Sequence, residues 1–313
     1  MKDQELKARL DELKRERSAV ILVHNYQLPE VQDVADLLGD SLDLARAAAG
    51  CEAEVIVFGG VHFMAETAAL LAPDKIVLLP DPAAGCPMAE MIRAGDVRAL
   101  RLAHPGAVVV CYVNSTAAVK AECDVCCTSA NAVEIVGRIP PGVPVVFVPD
   151  RHLGDHVRRL AGRELVLWPG HCPTHVRLDA SHVAAARAAH PGAPVIVHPE
   201  CRADVREAAD AVLSTGQMVR FAAGSDAKTI VVGTEVGLLH RLSAENPGQR
   251  FVPLAEGTLC PNMKLATLEK LVWSLEDMQH RVTVPESVAD RARLAVERML
   301  GAGPIAPREA DDG

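Results

Sequence analysis

Three cysteines in this 313-residue chain are followed by proline, at Cys86-Pro87, Cys172-Pro173 and Cys260-Pro261, with steps of 86 and 88 residues between them. Such even spacing implies one structural unit copied three times, each copy delivering a thiol from the same place. Thiolates bind soft or borderline metals, and three that converge leave one coordination position open for chemistry. On spacing alone three readings stand. One is a zinc held by three thiolates plus water or histidine. The second is a [4Fe-4S] cluster whose fourth iron lacks a protein thiolate. The third is a set of buried structural thiols multiplied by duplication. Long sequence separation favours the cluster over zinc, because structural zinc sites use a short Cys-x2–4-Cys hook. The prolines stiffen each loop and remove a donor beside the sulfur.

Other reactive groups follow the same period. His24, Tyr26, Tyr112, Asn114, His198 and Glu200 each end an apolar run at the matching place in its unit. Imidazole and carboxylate groups so placed suit acid–base work. Ser41, Ser129 and Thr215, at steps of 88 and 86, each precede a helical stretch. They read either as helix caps or, with free amides beside them, as a binding place for a small anion. His175 stands three residues past Cys172 and belongs with this set. The other histidines read as surface residues. The pair Cys123-x-x-Cys126, on what reads as the helical approach to Ser129, has no second half at either equivalent place and cannot complete four zinc ligands. Cys51, Cys111 and Cys201 read as core thiols.

The elements that must position these groups are legible as short β-branched runs separated by Ala/Leu/Arg segments. In the first unit the runs are Val20–Val23, Val55–Phe58 and Ile76–Leu79, and equivalent runs recur twice. Segments such as 31–49, 61–72 and 203–213 carry helical periodicity. Runs that are continuously apolar are buried on both faces, which predicts an α/β fold: three homologous three-layer α/β/α domains with parallel sheets about a pseudo-threefold axis. Ligands gather at the carboxyl ends of such strands. The units are placed at 18–97, 98–182 and 183–263, with helices in 264–300 completing the first and a mobile tail over 301–313.

Composition fits a globular enzyme, with 49% hydrophobic and 23% charged residues. A formal charge of −9 and the absence of a basic run argue against nucleic acid. No stretch approaches the ~20 apolar residues of a membrane helix. The N-terminal helix, with Leu6, Leu10 and Leu13 on one face, is unlike a secretory signal. An odd cysteine count without an export signal predicts a reducing, cytoplasmic location.

Several segments resemble quinolinate synthase, the A protein of bacterial NAD biosynthesis. They are HNYQLPEVQDVADLLGDSLDLAR at 24–46, GVHFMAETA at 60–68, YVNSTAAVKAECDVCCTSANAV at 112–133, WPGHCPTH at 168–175, HPEC at 198–201, STGQM at 214–218 and CPNMKLATLEKL at 260–271. The resemblance implies a [4Fe-4S] cluster on Cys86, Cys172 and Cys260 with one labile iron. It also implies condensation of iminoaspartate with dihydroxyacetone phosphate, the imine supplied by an L-aspartate oxidase or dehydrogenase. Carried over by position, Glu200 is the general base with His198 beside it, and Tyr26 and Tyr112 donate or orient protons. His24 holds the triose phosphate and Ser41 and Ser129 its phosphate. Asn114, Thr215 and Met263 hold the dicarboxylate end, and His175 lines the wall near Cys172. Ala130 departs from the family's frequent second serine, and no Cys-x-x-Cys follows Cys260. A metal-dependent sensor and another cluster-dependent hydro-lyase are the competing functions.

Overall fold

The computed structural model describes residues 3–307. Continuous apolar runs become central strands because both of their faces are covered. The first sheet holds β1 (Ala19–His24), β2 (Leu37–Gly39), β3 (Val55–Gly59) and β4 (Ile76–Leu78) in the order β2-β1-β3-β4. The second holds β5 (Val108–Tyr112), β6 (Val125–Cys127), β7 (Val145–Val148) and β8 (Val166–Leu167), ordered β6-β5-β7-β8. The third holds β9 (Val195–Val197), β10 (Ala211–Val212), β11 (Thr229–Gly233) and β12 (Arg250–Pro253), ordered β10-β9-β11-β12. Every named strand pair is parallel, so one topology occurs three times.

Three corrections concern local structure. The helical pattern over 31–49 is broken by β2, and that over 203–213 ends in β10. Likewise Cys126 and Cys127 lie on β6 and not on a helix. These edge strands are two or three residues long, too short to display a period of their own. The expected three runs per unit correspond to the other three strands of each sheet.

Close packing dictates a glycine at the end of the second run in two units. A Cβ on Gly59 would stand 3.0 Å from Val23 Cγ2, its register partner, and one on Gly233 would stand 2.7 Å from Val197 Cγ1. Directly beyond these tight ends the chain turns into the region where the polar residues gather.

Leu6, Leu10 and Leu13 of helix Asp3–Glu16 are buried against Leu268, Leu271, Val272 and Leu275 of helix Leu268–Asp277 and the underside of the first sheet. Each such leucine contributes about 1.5–3 kcal/mol through burial. Helix Glu286–Leu300 instead spans helix His62–Leu71 of the first repeat and β6 of the second. Residues 301–307, expected to be mobile, are held by Arg138, whose guanidinium donates to the carbonyls of Gly301 and Gly303 at 2.7 and 2.8 Å, and by buried Ile305. The rest of the expected tail, 308–313, lies outside the described residues. Among the described residues no helix is long and apolar enough to cross a membrane.

Candidate active site

At the carboxyl ends of the strands lies a cavity in two halves. The thiol half, about 50 Å³, is bounded by Cys86, Cys172 and Cys260, one from each sheet's fourth-strand loop, with His175 beside Cys172. The other half, about 40 Å³, is bounded by His24, Ser41, Tyr112, Ser129, His198 and Thr215. Tyr26, Asn114, Glu200 and Met263 line both and form the waist between them. All fourteen residues singled out in the sequence therefore border one site. The other histidines border neither half. His62 and His280 are exposed as expected, whereas the remaining seven are half-buried.

The backbone fixes two of the imidazoles. The Tyr26 N–H donates to His24 Nδ1 at 3.2 Å, and the Glu200 N–H donates to His198 Nδ1 at 3.3 Å. The same i to i+2 contact thus recurs after β1 and after β9. It leaves each neutral ring with its proton on Nε2, and His198 Nε2 lies 3.3 Å from Ser129 Oγ. Burial pushes His24 down to about 3 and lowers His198 as well, so both are neutral donors near pH 7.

Glu200 sits between two imidazoles. Its Oε2 lies 2.8 Å from His175 Nδ1 and 3.4 Å from His198 Nδ1. Burial opposes its charge, but the His175 N–H holds the carboxyl well below the ordinary carboxylate range, while neutral His198 turns only a lone pair toward it. His175 Nδ1 also lies 3.1 Å from Cys172 Sγ. The nearer, charged carboxylate is the stronger acceptor for the single N–H. With that proton on Nδ1, His175 Nε2 accepts from Thr234 Oγ1 at 2.9 Å, and Thr234 accepts from the Tyr26 hydroxyl at 2.5 Å. A continuous proton path therefore runs from Tyr26 through Thr234 and His175 to Glu200. Burial and the Glu200 charge push both Tyr26 and Tyr112 well above the usual phenol range, so each enters the reaction as a proton donor.

The three hydroxyls do not cap their helices. Asp40 caps helix Ser41–Ala49, accepting from Leu42 and Asp43 N–H at 2.9 and 3.0 Å, and Ser214 caps helix Thr215–Ala223. Ser129 precedes helix Ala132–Gly137, where Asn131 holds the cap position. Ser41 and Thr215 are each the first helical residue, one place later than expected, with their hydroxyls freed for the cavity. Thr215 Oγ1 accepts from Asn25 Nδ2 at 3.0 Å. No Lys or Arg lines this half among the described residues. An anion there would be met by neutral donors and helix N-termini, with the carboxyls of Asp40 and Glu200 also on the wall.

The donor set of the other half fits a thiolate-held metal centre. Its cysteines are half-buried and face open space, while Cys111, Cys123, Cys126, Cys127 and Cys201 are buried in the core. Cys51, expected in the core, is half-buried beside it. Burial pushes Cys86 up to about 12, and Cys172 and Cys260 are also raised, so each keeps its proton until a metal displaces it.

Comparison with known proteins shows the family. The family described as "Quinolinate synthetase A protein" matches residues 8–301. The chain belongs to the quinolinate synthase family. It is 56% identical over 292 residues to the quinolinate synthase of Dehalococcoides mccartyi, covering 93% of this chain and 96% of that one. The enzyme of that name from Thermus thermophilus is 54% identical over 300 residues, covering 93% and 95%. The one from Methanoregula boonei is 53% identical over 288 residues, covering 92% and 95%.

The sequence reading passed over Thr234, Glu235 and Asn25. The available signal was position, since Thr234 and Glu235 directly follow the tight glycine that ends β11. Thr234→Val keeps the shape and removes the hydroxyl from the proton path. Turnover of this quinolinate synthase is expected to fall about 100-fold, the low end for a general acid–base element. Iron content should remain that of the parent. Steady-state assay with parallel iron analysis checks both.

Proposed function

We propose that Cys86, Cys172 and Cys260 hold a [4Fe-4S] cluster with which the chain, as a quinolinate synthase of NAD biosynthesis, condenses iminoaspartate with dihydroxyacetone phosphate to quinolinate, phosphate and water. The observation that carries this reading is the convergence of one Cys-Pro thiol from each sheet on a cavity that Glu200 also lines. When bound, the cluster supplies an open iron as a Lewis acid for the substrate's oxygen or nitrogen atoms.

The protein groups do the rest. Ser41 and Ser129, with the amides of their neighbouring turns, receive the phosphate, and the Nε2–H of His24 faces the same half. Asn114, Thr215 and Met263 hold the dicarboxylate across the waist. Ring closure needs a proton removed beside a carbonyl and water lost from the ring. Glu200, ionised and held by the His175 N–H, takes the proton, and neutral His198 offers its Nε2–H beside Ser129. Tyr26 gives its proton to a departing hydroxyl and is restored by the proton that Glu200 took, relayed through His175 and Thr234, while Tyr112 orients the substrate opposite. The three repeats at 18–97, 98–182 and 183–263 each contribute to this cavity. An L-aspartate oxidase or dehydrogenase in the cytoplasm would supply the imine.

Cys172, His175 and Glu200 place their ligand atoms within 4.8 Å of one another, which gives zinc a competing claim. Metal analysis separates the two readings. Protein reconstituted without oxygen should contain iron and acid-labile sulfide and form a pyridine dicarboxylate and phosphate from the two substrates. Zinc without sulfide in an active preparation overturns the cluster reading.

A further inference from the structure

Glu235, buried at the second position past β11, carries a carboxylate that the proposed chemistry does not use. Its Oε1 accepts from the backbone N–H of Cys260 at 3.1 Å, and its Oε2 accepts from the N–H of Gly237 at 2.7 Å. Lys264 reaches both oxygens, with Nζ 2.9 Å from Oε1 and 3.0 Å from Oε2. The same ammonium donates to the backbone carbonyl of Tyr26. The knot leaves no spare room. A Cβ on Gly237 would stand 2.7 Å from Lys264 Nζ, 2.7 Å from the Tyr26 carbonyl and 2.8 Å from Glu235 Oε2.

A buried carboxylate is costly unless paired and hydrogen-bonded, and this one meets both conditions. Only its contact with the N–H two residues on has a counterpart in another repeat. The equivalent position after β3 is Val61, and after β7 it is Asp150, which caps the following helix through the N–H groups of His152 and Leu153 at 2.7 and 2.8 Å. Glu235 caps no helix. Its partners are the peptide that precedes the Cys260 thiol and, through Lys264, the peptide of Tyr26. Backbone N–H groups near a metal-bound sulfur tune its potential when they turn toward it. Here that N–H is committed to Glu235, which fixes the peptide plane on the amino side of Cys260.

We propose that Glu235 and Lys264 form a positioning pair that locks the Cys260 loop of the third repeat to the Tyr26 backbone of the first, so that thiol and phenol face each other across one cavity. The inference rests on the cluster reading above. Outer partners of metal ligands alter affinity about 10- to 100-fold when removed. The two members carry opposite charges near the same sulfur, so their removal should move the cluster's reduction potential in opposite directions.

The test uses the full chain, reconstituted without oxygen, as parent, Glu235→Gln, Lys264→Met and Lys264→Arg. Iron and sulfide per chain, the rate of bleaching in excess chelator and the midpoint potential are measured. Glu235→Gln should bleach about 10-fold faster with a positive shift in potential. Lys264→Met should also bleach faster but shift negative, and Lys264→Arg should return the slow rate. Bleaching at the parent's rate in both Glu235→Gln and Lys264→Met, or shifts of the same sign, overturns the pair, because a mere packing defect would move both alike. Should Glu235→Gln fail to fold, the bleaching rates and the sign of the potential shift in the two Lys264 variants decide alone. A parent without iron and sulfide removes both the cluster reading and this inference, whereas a loaded parent with unaltered variants removes only the inference.

Discussion

Cys172→Ala is expected to abolish quinolinate formation and to leave less than about one iron per chain where a [4Fe-4S] cluster would give about four. With Cys172 gone, the other two thiols come from the first and third sheets, and the side that carries His175 and Glu200 loses its thiol. His175 cannot substitute, because its Nδ1 proton is held by Glu200 at 2.8 Å and its Nε2 by Thr234 at 2.9 Å. Loss of folding would give the same result, so the comparison needs a thiol from elsewhere. Cys201→Ala removes a fully buried thiol outside the cavity. It should cost about 1–2 kcal/mol of stability, an ordinary figure for a small core truncation, and keep its iron. Cys172→Ala, at a half-buried position, should show the reverse: little change in the melting temperature of the metal-free protein, and no cluster. Iron and sulfide analysis beside thermal unfolding of both variants checks the contrast.

That contrast also shows what the sequence could reveal. Cys86, Cys172 and Cys260 stood out from nine cysteines because proline and a fixed period mark them, and both marks come from duplication of a backbone loop. The central strands were legible for a related reason. Val55–Gly59 and Val108–Tyr112 are buried along their whole length, so continuous hydrophobicity is their physical requirement. Edge strands have no such requirement. Ala211–Val212 is only half-buried and follows six helical residues after a gap of two, so it reads as the tail of a helix. Hydroxyl placement failed by one residue because Asp40 and Ser41, or Ser214 and Thr215, are both acceptable caps, and only geometry decides which oxygen faces the amides. Thr234 stayed hidden for a deeper reason. Its partners, Tyr26 and His175, are 208 and 59 residues away, and no local pattern records a contact of that kind. The held segment after residue 300 is similar, since its anchor is Arg138 on a different repeat.

Glu200→Gln is the sharper test of the chemistry, because it preserves size and removes one negative charge. Turnover should fall by about 10³- to 10⁴-fold, the upper range for a general base, while iron and sulfide stay at the parent's level. Cys172→Ala loses both, so the two variants separate metal binding from proton transfer. The pH dependence follows from the same contacts. The N–H of His175 keeps Glu200 ionised well below the ordinary carboxylate range, despite burial. In the parent, therefore, titration of Glu200 should produce no acid limb in kcat above about pH 5, and the raised phenols of Tyr26 and Tyr112 no alkaline limb below about pH 10. Stability responds with a definite sign. Folding depresses this carboxyl, so its contribution is fully present above the unfolded value of about 4.3 and is lost as pH falls through the native value. The difference in melting temperature between parent and Glu200→Gln should be constant near neutral pH and shrink only below about pH 4.3. A gap that instead closed between pH 7 and 5 would place the native carboxyl near neutrality, as burial alone would have it, and would remove His175 as the source of its charge.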